Sequence, residues 1–469
     1  MKKKNILLIV LLLFALNLKA QKDFTLYNFN AVPQSIKINP SIIPDTKVCV
    51  GLPGLSSIYI NYFNSAFKPF DIIRERPQDD SLRIDIDYLI TKLKDDNYIN
   101  FDLSTELLFI GFKLNKGFLS FGVDHSLNFR FDYAQDFIKF LWYGNEYFYN
   151  NPANFDNTNI DINHYLSYHI GYSYKLNEKI SFGTRLKFLK GISNISVKKM
   201  NLSLNTVSDP QTTYAFEGDY NFRINTAGMY DNDYYKDKDY LMGQENDFDV
   251  GNYLFNKKNN GFAIDLGFSY IINEDFSVNA SIIDLGSINW KSNPINYTSK
   301  KSTFYFNGIY FDENNDSTDV FEATLDTLSN LFDVNSSYEN YKTNLHTKYY
   351  LSGYYNINEK NKVGLLLFGR KYRNHFEKAL SLNYNLKACR NFNLTANYTI
   401  FENKFDNFGL GMSFNMGPFQ SYFITDNILT AFNPLNTDRV NLRFGLNISI
   451  RNKPVKITDE DAEYENITD

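Results

Sequence analysis

A side-chain period of two, repeated along the chain, constrains the fold more than any other feature. From Asn441 to Ile450, Leu442, Phe444, Leu446, Ile448 and Ile450 point one way, and Asn441, Arg443, Gly445, Asn447 and Ser449 point the other. Successive side chains of a strand alternate between its two faces, whereas a helix repeats every 3.6 residues. His164, Leu166, Tyr168, Ile170, Tyr172, Tyr174 and Leu176 likewise share a face, against Tyr165, Ser167, His169, Gly171, Ser173 and Lys175. Runs of about ten residues with one oily and one polar face suit a strand that separates lipid from a polar interior. The expected fold is all-β: an antiparallel transmembrane β-barrel of about 14 strands, with 12–16 compatible with the pattern.

The first twenty residues read as a secretory signal peptide. Lys2, Lys3 and Lys4 precede the apolar run Ile6 to Leu16, and Leu18-Lys19-Ala20 leaves a small residue before a cut at Gln21. That run is too short for a membrane helix, and no later apolar run reaches the ~18 residues a helix needs. The expected division is 1–20 signal peptide, 21–46 N-terminal segment, 47–451 outer-membrane barrel and 452–469 acidic periplasmic tail. Segment 21–46 carries Pro33, Pro40 and Pro44 and does not alternate. Proline is poorly tolerated in central strands, so the segment is read as a lumen plug. The tail holds Asp459, Glu460, Asp461, Glu463 and Glu465, a composition that does not build a core.

Turn chemistry supports a meander. Asn177-Glu178-Lys179, Asn273-Glu274-Asp275 and Asn358-Glu359-Lys360 each join two alternating runs, as do Leu114-Asn115-Lys116-Gly117 and residues 387–391. The connections at the opposite ends, near 131–163, 225–260 and 290–346, are much longer. Short periplasmic turns and long extracellular loops are the asymmetry of outer-membrane barrels. Residues 303–311 are expected in an external hairpin outside the wall. Residues 48–59, 195–204 and 214–223, which alternate less cleanly, are counted among the wall strands.

Composition narrows the function. Tyr 35 and Phe 42 suit the aromatic girdles of a barrel, and a net charge of -5 without a basic block after the signal gives nucleic-acid binding no support. Two cysteines, Cys49 and Cys389, make no disulfide framework. His164 and His169 fall on opposite faces of one strand, and His125, His346 and His375 are isolated in sequence. Asp231, Asp233, Asp237, Asp239, Asp247 and Asp249 lack the spacing of a Ca²⁺ loop and read as a solvated, like-charged loop. No catalytic, metal-ligating or cofactor-binding set emerges, and no enzyme is expected. The informative residues are charges on polar faces: Lys113, Asp124, Arg130, Lys175, Arg185, Lys187, Asp265 and Arg443. Inside a barrel such charges pair and close the lumen, or line a wet path; closure is the preferred reading.

Three short segments carry a resemblance. They are Ile38-Asn39-Pro40-Ser41, the stretch from Ile283-Asp284-Leu285-Gly286 to Trp290, and Asp426-Asn427 with Arg443-Phe444-Gly445-Leu446-Asn447. With them the chain resembles uncharacterised outer-membrane β-barrel proteins of type IX-secreting bacteria, which have a FadL-like architecture and are loosely similar to PorP/SprF. The resemblance implies an outer-membrane barrel in contact with lipid. Its function would be that of a scaffold or accessory component with an envelope or surface protein partner. The alternative is a FadL-like or porin-like conduit for small or hydrophobic solutes.

Overall fold

The computed structural model describes residues 23–75, 81–210, 213–228, 258–300, 302–306, 331–373, 375–401, 404–433 and 436–451. The signal peptide, the aspartate cluster between 231 and 249 and the acidic tail lie outside the described residues.

One antiparallel sheet closes on itself through fourteen wall positions. In chain order these are β1 (Thr46–Gly51 and Ile58–Asn64), β2 (Asp96–Leu114), β3 (Gly117–Ala134), β4 (Asn159–Lys175) and β5 (Ile180–Asp209). There follow β6 (Asn260–Ile271), β7 (Phe276–Trp290), β8 (Tyr341–Asn344 and Lys348–Asn356), β9 (Asn361–Tyr372) and β10 (His375–Cys389). The wall ends with β11 (Phe392–Phe401), β12 (Lys404–Met416), β13 (Phe419–Thr425) and β14 (Arg439–Arg451). Pairing of β1 with β14, at Val48↔Ile450 and Ile58↔Phe444, closes the ring and leaves no open edge. Residues 48–59 are therefore wall, although residues 52–57 loop out between the two halves of β1.

Residues 195–204 and 214–223 are different. Past Ser196, β5 leaves the wall and pairs with Thr213–Ala227, forming an arm beyond the barrel. Ser302–Phe306 pairs with that arm at Phe216↔Phe306 and not with a wall strand; residues 307–311 lie outside the described residues.

One rim carries only tight turns. In three of them an asparagine side chain fixes the reversal. Asn177 Oδ1 accepts from the N–H groups of Lys179 (2.9 Å) and Ile180 (2.8 Å), and Asn273 and Asn358 repeat the arrangement. Asn115 turns in the left-handed region with φ 32. The other rim carries the long connections but is not uniformly long. Only two residues separate Tyr372 from His375, and two separate Phe401 from Lys404.

Alternation sets the faces. In β14 the odd-numbered residues from Arg439 to Ser449 are buried inside, while Val440, Phe444, Leu446 and Ile450 are exposed outside. Phe182, Phe188, Phe262, Phe268, Leu382 and Phe414 continue the apolar outer surface. An outer face of this kind calls for lipid, while the inside is polar.

Candidate functional site

The interior is occupied by the chain's own N-terminal segment. Residues 23–45 form a short helix, Phe24–Tyr27, a 3-10 turn, Pro33–Lys37, and an irregular run that enters β1. Phe24, Thr25, Leu26 and Tyr27 are all buried against inward side chains of the wall. Phe24 meets Phe368 edge-on at 5.2 Å, and Tyr27 stacks on Tyr350 at 4.9 Å. Thr25 donates through its N–H (2.8 Å) and hydroxyl (2.6 Å) to Asp426, and Arg443 binds Asp23 at 2.7 Å. Gln34 donates to Asn447 at 2.8 Å.

The lower grip works through backbone. Ser173, Gly183, Gly267 and Ser281 stand side by side on β4, β5, β6 and β7, because Ser173 pairs with Gly183, Gly183 with Gly267, and Gly267 with Ser281. Ser173 donates to the Pro40 carbonyl and Ser281 to the Ile38 carbonyl, each at 2.6 Å. Ser41 meets the Ser269 hydroxyl at 2.6 Å. A Cβ on Gly183 would lie 1.7 Å from the Pro40 oxygen, and one on Gly267 2.5 Å from the Ser41 nitrogen. Only glycine admits the segment so close.

Across the lumen above this row runs a chain of alternating charges. Lys37 reaches Glu106 (3.0 Å) and Asp124 (2.6 Å). Asp124 also faces His169 (3.3 Å) and Arg185 (3.9 Å). Arg185 (3.4 Å) and Lys187 (2.7 Å) share Asp265, Lys187 continues to Asp284 (2.6 Å), and Asp284 meets Lys348 (2.6 Å). Four carboxylates thus face four cations. Unpaired, each would be costly in a dry interior; paired and hydrogen-bonded, they are tolerated. Asp284 enters the chain of charges from a bulge, at φ 62, which turns its carboxylate inward.

A second charged group lies toward the loop rim. Arg130 binds Asp132 (2.8 Å) and Glu377 (2.9 Å), lies between the rings of Tyr98 (3.7 Å) and Tyr372 (4.0 Å), and shares Glu377 with Arg370. Rings on both faces of a guanidinium add cation–π attraction to the ion pairs.

Asp124, Arg185, Lys187 and Asp265 thus come together in one network within the lumen, while Arg130 and Arg443 also face inward but pair separately, with Glu377 and Asp23. Lys113 and Lys175 enter none of these pairs. Both keep the inward register, but they stand exposed beside the turns at Asn115 and Asn177, where the wall ends and water enters. The histidines read as isolated are not all so: His125 and His164, on the outward faces of β3 and β4, bring their Nε2 atoms to 2.6 Å. Cys49 and Cys389 are free thiols, the first buried and the second exposed. Sequence reasoning missed Lys37, Glu106, Asp284 and Lys348 as partners, and missed the serine–glycine row. Asp284 did stand in a quoted motif; serine and glycine on a polar face gave no signal.

Open space lies on both sides of the plug. A cavity of ≈ 130 Å³, lined by Lys37, Asp124, Lys187, Asp284, Lys348 and their neighbours, sits above it. Below, toward the turn rim, a space of ≈ 620 Å³ is lined by Asn28, Ala31, Pro33 and Pro44 of the plug and by Lys360, Lys362 and Arg451 of the wall.

A closed fourteen-strand barrel with a polar, occupied lumen and an apolar exterior is a membrane-type β-barrel. In sequence, the chain belongs to a family of unknown function (DUF5723), whose model matches residues 40–426. No curated protein matches it in sequence. Similar solved structures include the toluene transporter TbuX of Ralstonia pickettii, at 8% identity and TM-score 0.42, covering 93% of this chain and 100% of that one. A FadL homologue of Pseudomonas aeruginosa matches at 9% identity and TM-score 0.41, covering 92% and 96%. The toluene transporter TodX of Pseudomonas putida matches at 8% identity and TM-score 0.38, covering 92% and 97%. Such low scores carry no weight beside the chain's own strand pairing, which defines the barrel.

Proposed function

We propose that this protein is an outer-membrane conduit held shut by its own N-terminal segment, with the tight turns in the periplasm and the long loops outside. One observation carries the reading: a single segment, residues 23–45, lines the polar cavity above it and the polar space below it. The segment lies between the two, held by non-covalent contacts alone: hydrogen bonds, ion pairs and the packing of Phe24 and Tyr27. The charged interior favours polar over hydrophobic solutes.

The test is single-channel conductance in planar bilayers. The intact chain is expected to be nearly silent. Deleting residues 21–45 leaves β1 whole and should open steps. A second variant guards against misfolding: Ser41→Cys with Ser269→Cys, in a Cys389→Ser background, joins plug to wall where the two hydroxyls meet. The oxidised form should stay silent under conditions in which the reduced form flickers open. Conductance of the intact chain equal to that of the deletion would discard the plug. Silence of every form would favour the scaffold reading, with a PorP/SprF-like role beside envelope partners; the arm formed by β5 and Thr213–Ala227 offers such a role a surface.

A further inference from the structure

The mouth of the lumen at the loop rim has a charge of its own. A space of ≈ 690 Å³ opens there, lined by Lys198, Lys342, Lys371 and Arg373, with Asp161 as the one carboxylate among the described lining residues. The rest of the lining is mostly hydroxyl and amide, including Asn163, Thr343 and Asn344. Asn163, Asn344, Leu345 and His346 also line the ≈ 130 Å³ cavity, so the mouth leads directly to the plug.

Arg373 is built into place. It sits in the connection between β9 and β10 at φ 50, a conformation non-glycine residues rarely hold without cause. Its guanidinium crosses to the opposite wall and donates to Asn159 Oδ1 (2.9 Å) and to the Val197 carbonyl (2.5 Å). Both acceptors are neutral, so the positive charge is fixed at the mouth without a carboxylate taking up those donors. The contrast with the interior is sharp. Deeper in, four cations meet four carboxylates; at the mouth, four cations meet one among the described residues.

We propose that this mouth is a binding site for small multivalent anions bearing carboxylate or phosphate groups, and that such anions are the solute class admitted to the conduit. Low-dielectric walls around a one-sign cluster concentrate counter-ions, and a volume of this size suits a small organic solute. The inference rests on the conduit reading for its second half only. The site itself stands on geometry.

Trp290 supplies the test. It is one of two tryptophans, is fully buried, and donates its indole N–H to Thr343 Oγ1 at 2.8 Å, and Thr343 lines the mouth. Trp142→Phe leaves Trp290 as the only tryptophan, to be excited at the red edge of its absorption, where tyrosine does not absorb. Citrate, added to the detergent-solubilised full chain, is expected to change Trp290 emission saturably, while glucose and choline do not. Binding should weaken as salt rises. It should also weaken about tenfold or more in Lys342→Glu with Lys371→Glu. Both residues are exposed, so folding should be kept. Isothermal calorimetry with citrate checks any fluorescence result. Absence of saturable citrate binding by both methods overturns the site, as does equal binding of glucose or an undiminished affinity in the double variant. The two readings fail separately. Citrate binding to a chain whose plug deletion never conducts keeps the site and sinks the conduit. A conducting deletion that neither binds citrate nor favours anions in its reversal potential does the opposite.

Discussion

The two ends of the plug are held in different ways. The head, residues 23–28, is held by what its side chains are: Phe24 and Tyr27 fill an aromatic cluster, and Thr25 and Asp23 answer Asp426 and Arg443. The foot, residues 38–41, is held by where its backbone runs. Serines take its carbonyls, and two glycines make room for it. A head of this kind needs specific residues on the segment itself, whereas the foot needs them on the wall. Release by a ligand is therefore expected to begin at the head, where competing polar groups can replace side-chain partners one at a time.

Phe24→Ala breaks the head most severely. Removing a fully buried phenylalanine typically costs about 3–5 kcal/mol. The plug should detach while the wall stays folded, seen as conductance and as protease cleavage between residues 21 and 46. If cleavage stays slow, the head is not an anchor. Leu446→Arg is the control outside the plug. Leu446 faces lipid midway along β14, and a charge there costs roughly 2–4 kcal/mol. Its urea midpoint in lipid should fall, without selective cleavage of the N-terminal segment; selective cleavage would show that wall and plug do not act independently.

Gly183→Ala tests the foot by shape. Overpacking of this kind costs about 1–3 kcal/mol, and because the clash is with backbone, no substitution at Pro40 should relieve it. Rescue by Pro40→Gly would mean the foot is recognised by side chain after all. Ser281→Ala should have the smallest effect, about 1 kcal/mol for one lost hydrogen bond. It should add to Ser173→Ala, since the two serines take different carbonyls. Strong non-additivity in conductance would show the foot moves as a unit.

Much of the wall was legible because strand alternation is a property of single residues. The outward set of β14 and the asparagine turns at 177, 273 and 358 needed no knowledge of pairing. The lumen was less legible for a physical reason. Lys187 meets Asp284 only because three strands, β5, β6 and β7, lie in one register, and register is a relation between distant segments. Lys113 and Lys175 have the same inward parity as Arg185, and only distance along the barrel axis separates rim from interior. Gly183 and Gly267 read as filler in a polar face, although the plug's path depends on them. The three motifs all serve the plug: Asn39-Pro40-Ser41 lies on the foot cradle, Asp284 joins Lys187 to Lys348 in the chain of charges that includes Lys37, and Asp426 with Arg443 and Asn447 holds the head and the turn.

The plug's partners also fix an order of assembly. Asp23 finds Arg443 across 420 residues, Thr25 finds Asp426 across 401, and Gln34 finds Asn447 across 413. Contacts of such separation carry the largest loop-closure cost and form only after intervening structure has shortened the path. The first segment of the described chain therefore cannot find its place until the last strands have folded, since Asp426, Arg443 and Asn447 complete its site. Plug docking after ring closure would give every molecule a stage in which the ring is closed and the lumen still empty.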